Sequence, residues 1–143
     1  MSKGNTFEND LLKLIFNGTA IADLAENDTT GPLTDLWVSL HTSNPDEGGD
    51  QTTGEISYTG YARVAVARSG AGWTVSGPSV SPAANIDFGQ MTAGAGGTVT
   101  HAAVGTSSSG AGKILYSGAV SPNISVTNGV IPRLTTATAI TED

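Results

Sequence analysis

The chain has 143 residues, enough for one domain with a core of its own. Cysteine is absent, which excludes disulfides, a thiolate nucleophile and cysteine-held metal, and fits synthesis in a reducing cytoplasm. Six Lys and Arg against thirteen Asp and Glu give a net charge of −7, which argues against nucleic acid as a partner. Only 13% of residues are charged, so the surface falls largely to Gly, Ala, Ser and Thr.

The first ten residues, MSKGNTFEND, lack the basic-then-apolar order of a signal sequence. No apolar run approaches the roughly 20 residues of a membrane span. The expectation is a soluble chain with no membrane partner. Residues 1–4 are expected to be mobile, and a helix follows. Asn5 can cap it, with Glu8 three places on as the reciprocal partner. Phe7, Leu11, Leu14 and Ile15 give an apolar stripe, widened by Leu12 and Phe16. Gly18 suits the left-handed residue that closes a helix. So short a helix is marginal alone, so its stripe docks either on the chain's own sheet or on a neighbouring subunit. Residues 20–25 (AIADLA) fit a short strand or a helical turn, and residues 26–32 read as a loop. The organisation expected is an N-terminal arm over residues 1–30 and a β domain over residues 31–143.

Residues 36–42 (LWVSLHT) alternate, with Leu36, Val38 and Leu40 against Trp37, Ser39 and His41. Residues 61–68 (YARVAVAR) alternate in the same way, and both read as strands with one face buried. The Gly- and Asp-rich stretch between them is a turn region. A tight turn at residues 69–72 predicts that residues 73–75 pair back on residues 61–68 as a hairpin. Gly77-Pro78 bends the chain, and Val80 and residues 85–88 continue extended. Residues 98–105 form a strand, residues 106–112 a mobile loop, and residues 113–117 a strand that residues 119–122 extend. Asn128-Gly129, between residues 124–126 and 130–131, is a strong hairpin signal. Residues 138–141 make a last strand. The fold class predicted is all-β: an antiparallel β-sandwich or jelly-roll-like domain of about eight strands, with one N-terminal α-helix.

Several clusters invite a chemical reading. Gly105, Gly110, Gly112 and Lys113 have the composition of a phosphate loop, but no Ser or Thr follows the Lys and no helix opens there. Asp46, Glu47 and Asp50 share a loop and could hold Ca²⁺, though the spacing is not that of an EF-hand. His41 and His101 would need adjacent strands and a carboxylate to hold a metal, and a held Ser to form a triad. Both are expected to be half-exposed strand residues. Trp37, Trp73, Tyr58, Tyr61 and Tyr116 fit a carbohydrate platform or, more simply, core and cross-strand pairs. Arg63, Arg68 and Arg133 are too few for a polyanion groove and are expected to pair with acids. The expectation is no catalytic set, no metal and no cofactor.

Residues 36–66, LWVSLHTSNPDEGGDQTTGEISYTGYARVAV, resemble a family of small tailed-phage virion proteins with an LHT-type opening and a later GYARV strand. The similarity continues through GWTVSG (72–77), GTSSSGAGKILYSG (105–118) and the ending PRLTTATAITED. Asp46 stands where that opening often has Gly. The resemblance implies a non-enzymatic structural protein of the virion, made in the bacterial host cytoplasm, and brings no catalytic residues. A compact chain of this length suits a capsid decoration (cement) protein that stabilises the head as a homo-oligomer, a dimer or trimer. Its partners would be the major capsid protein or other virion proteins. The alternative is a tail- or tail-fibre-associated module that binds a receptor. Partner contacts are expected at Phe7, Leu11, Leu14 and Ile15 on the helix and at Asp46, Glu47 and Asp50 in the loop.

Overall fold

The computed structural model describes residues 5–21, 33–46 and 48–142, with side chains from Glu8 onward. The expectations for residues 1–4 and 22–32, for Glu47 and for the side chain of Phe7 lie outside that range. The fold class is the expected one: antiparallel sheets with, among the described residues, a single helix. Nine strands are seen among the described residues. Two compact units share them. One contains Val66–Asn85 with the two chain ends, and the other is Leu36–Ala65 with Ile86–Arg133.

In the first unit, helix α1 (Asn5–Asn17) buries Glu8, Leu12 and Phe16, which recur every fourth residue and so lie on one stripe. That stripe packs on β3 (Trp73–Ser76) and β4 (Ser79–Pro82). The Phe16 and Trp73 rings meet edge-on, with centroids 4.6 Å apart. Leu11, Leu14 and Ile15, expected at the centre of the apolar face, flank it and are half-buried. Gly18 takes φ +64° and closes the helix as anticipated. The last turn holds no basic residue, so its free carbonyls need a donor from elsewhere. Arg68 supplies it. Its Nε donates to Ile15 O at 2.5 Å and its Nη2 donates to Leu14 O. The cation also sits at the negative end of the helix dipole.

The expected hairpin between residues 61–68 and 73–75 does not form. Strand β3 pairs instead with β4 through Gly77-Pro78, with Ser76 opposite Ser79 and Trp73 opposite Pro82. Gly77 takes φ +59° at the first central position, the requirement of a two-residue turn whose twist matches the strands. Strand β9 (Ile140–Thr141) then pairs with β4, giving the order β3-β4-β9.

A four-stranded sheet of order β2-β1-β6-β7 supplies much of the second unit, although Asp35, Val66 and Ala67 of its strands fall in the first. Its strands are β1 (Asp35–His41), β2 (Val64–Ala67), β6 (Gly97–Gly105) and β7 (Ile114–Val126). Residues 61–63 lie outside β2, because the chain turns just before it: Tyr61 N donates to Tyr58 O. Leu36, Val38, Leu40, Val99 and Val126 are buried. The three pieces expected between residues 113 and 126 form one strand, interrupted by a bulge. Between the pairs Val99↔Ile124 and His101↔Ala119, β6 advances two residues and β7 five. Such a bulge disrupts the edge of a sheet and discourages further pairing there.

Asn128-Gly129 does make a turn, closed by Val130 N donating to Thr127 O at 3.0 Å. Only Gly129 has positive φ, at +89°. A turn with positive φ at the second central residue alone splays the two arms instead of matching their twist. The returning chain therefore leaves β7. Met91 N donates to Val130 O and Phe88 N to Pro132 O, which leads into β5 (Ile86–Asp87) paired with β8 (Arg133–Leu134).

Candidate functional site

The face of β1 expected to be half-exposed is covered. Ser39 and His41 have no exposed surface. A strap formed by residues 42–46 and 48–55 folds back alongside β1, with Thr42 N donating to Gly54 O, Ile56 N to Leu40 O, and His41 bridged to Glu55. His41 Nδ1 lies 2.8 Å from Thr53 O and Nε2 lies 2.9 Å from Ser39 Oγ. A carbonyl only accepts, so Nδ1 carries the ring proton and Nε2 accepts from the Ser39 hydroxyl. Burial is the main influence on this ring and holds its pKa below the ordinary histidine value, so it is neutral at pH 7. A Ser and a His at this distance have the chemistry of a nucleophile and its base. Here the hydroxyl has no exposed surface and the far nitrogen faces a backbone carbonyl. The pair fills the core and holds Thr53.

Two further contacts pin the strap. Gln51 is fully buried. Its Nε2 donates to Trp37 O at 3.1 Å, its Oε1 accepts from Ser107 N at 3.0 Å, and its backbone N donates to Gly112 O. Space for this side chain exists because residues 105 and 112 are glycines. A Cβ at Gly105 would lie 2.2 Å from Gln51 Cδ, and one at Gly112 2.1 Å from Gln51 Oε1. Glu55 accepts from Arg63 through both carboxylate oxygens, at 2.7 Å each, and from Tyr61 Oη at 2.9 Å. Arg63 also donates to Ser107 O and Gly110 O. The loop of residues 106–112, expected to be mobile, is thus tied down by Gln51 and Arg63. Burial pushes the Tyr61 phenol well up, and it stays a neutral donor to Glu55.

An open groove borders the strap. Asn44, Asp46 and Gly48 form one wall, and His101, Ser117, Gly118 and Ala119 line the other side. Asp46 is exposed there. It is the one described non-glycine residue with positive φ, at +56°, which explains physically why Gly suits this position. Asp50 is committed to its own turn, accepting from Thr52 N at 2.8 Å and from Thr52 Oγ1. Those bonds hold its carboxyl below the usual range.

The other sequence candidates are dispersed. Leu11, Leu14 and Ile15 belong to the other unit. His41 and His101 are indeed cross-strand partners, but both His41 nitrogens are engaged. Among the described residues no group of three His, Asp or Glu could hold a metal. The alternative of a carbohydrate platform fails at Trp73, which is buried against Phe16 as a core residue, and neither tryptophan lines the groove. The Gly105–Lys113 cluster closes a strand-to-strand loop, with Thr106 N donating to Lys113 O. Arg133 pairs with Asp87 on the surface. Sequence reasoning missed Gln51 and, although it expected Arg63 to pair with an acid, did not single out Glu55 as that partner. The signal available was the Ser39-His41 face, whose polar groups need a cover if buried.

A comparison with curated proteins found no match. A family model described as Podophage GP4 fiber I protein gp80 matches residues 2–141, and the chain belongs to that family. It is therefore a structural protein of the phage virion.

Proposed function

We propose that the chain is a component of the phage fibre apparatus, working by adhesion and not by turning over a substrate. The observation that carries this is the match, over nearly the whole chain, to a family described as a fibre protein. That description favours the fibre reading over the cement role on the head. The polar groups that invite a catalytic reading are consumed in packing, which supports a non-enzymatic role.

Its partners are other virion proteins, including further copies of itself in a closed dimer or trimer. Contact falls on the half-exposed Leu11, Leu14 and Ile15 and on the Asp46 rim of the groove. Immunogold labelling of purified particles tests the assignment. Gold at the fibres supports it. Gold spread evenly over the head would overturn it and restore the cement role.

A further inference from the structure

The strap rests on a histidine with one comfortable arrangement of protons. A second proton, on Nε2, would make Ser39 Oγ an acceptor and send its hydrogen to Ala103 O, 3.5 Å away and at the limit of a hydrogen bond. The charge would also stay in a site with no exposed surface. Among the described residues, three charged or titratable groups act on this ring. Glu55 on the strap favours the cation, while Arg63 and the cross-strand partner His101 oppose it. Burial outweighs them all.

We propose that the strap, residues 42–46 and 48–55, is an acid-released cover: protonated His41 reaches water only by lifting the strap from β1. The movement would carry Asn44, Asp46 and Gly48 away and dismantle one wall of the groove. Its direction follows from linkage. The folded state with the strap closed binds fewer protons at His41 than the opened state. The hold is complete above the ordinary histidine value and weakens as the pH falls from there towards the lower value of the closed state.

Amide hydrogen exchange on the purified full chain, corrected for intrinsic rates, tests this. The amides to follow are Gln51 N–H, bonded to Gly112 O, and Ile56 N–H, bonded to Leu40 O. Uptake of one proton raises their opening constant by up to about tenfold per pH unit below about 6.5, while the β6–β7 ladder keeps its protection. His101→Gln should leave that rise intact, and His41→Gln should abolish it. A flat profile, an equal rise in the β6–β7 ladder, or loss of the rise in His101→Gln would overturn the proposal. If His41→Gln does not fold, the His41 ring resonances decide: titration at or above the ordinary histidine value overturns it. None of these outcomes depends on where in the virion the protein sits.

Discussion

Replacing Gln51 by Ala should loosen the strap and the loop of residues 106–112 together. The side chain is fully buried and makes two hydrogen bonds to backbone, to Trp37 O and from Ser107 N. Each bond contributes about 1 kcal/mol net, and a buried backbone group left without a partner costs about 1–3 kcal/mol. Water reaching one of the two orphaned groups sets the lower end, so the expected loss is roughly 2–4 kcal/mol. Gly112→Ala should also destabilise, by about 1–3 kcal/mol, because its methyl would lie 2.1 Å from Gln51 Oε1 and 2.6 Å from Ser107 Cβ. In the double variant the methyl enters space that Gln51 has vacated. The combined loss should fall short of the sum by at least about 1 kcal/mol. Urea unfolding followed by tryptophan fluorescence and circular dichroism measures all three. Additivity within about 0.5 kcal/mol would show that Gln51 and Gly112 do not share one packed site, and the reasoning would fail.

Three other outcomes are expected. Glu55→Ala leaves the Arg63 guanidinium, 2% exposed, without its counter-charge, and should cost about 3–5 kcal/mol in the same unfolding assay. Phe16→Ala removes a fully buried ring from its contact with Trp73 and should cost about 3–5 kcal/mol, with a change in Trp73 fluorescence; an unshifted midpoint would mean that the helix does not pack where described. Asp46→Gly relieves a left-handed backbone at a non-glycine residue and should be neutral or stabilising by up to about 1 kcal/mol in thermal melts, yet weaken attachment to particles if the carboxylate is a contact.

The candidate site was readable only in part. Asp46 was singled out from a loop composition and does stand at an exposed groove. Asp50 came from the same composition and is spent on its own turn. On the helix, a stripe drawn through Phe7, Leu11, Leu14 and Ile15 leaves Leu12 and Phe16 at its margin, while the structure puts those two at the centre. Six apolar residues within ten positions leave more than one face wide enough to bury, and only the sheet beneath selects among them.

Local physics was settled by the residues themselves. Period-two alternation fixed β1 and β6, and the capping glycine fixed the end of α1. Positive backbone angles at Gly77 and Gly129 fixed two turns. Each of these depends on neighbours a few places away. Partner choice did not. The chain leaving Asn128-Gly129 bonds to Met91, and β4 takes β9 from the far end of the sequence. His41 is held by Thr53 and Glu55, and the strap is anchored to Trp37 by Gln51, contacts that exist only once the chain has folded back. Alternation says which side chains share a face, but what covers that face is set by contacts between residues far apart in sequence.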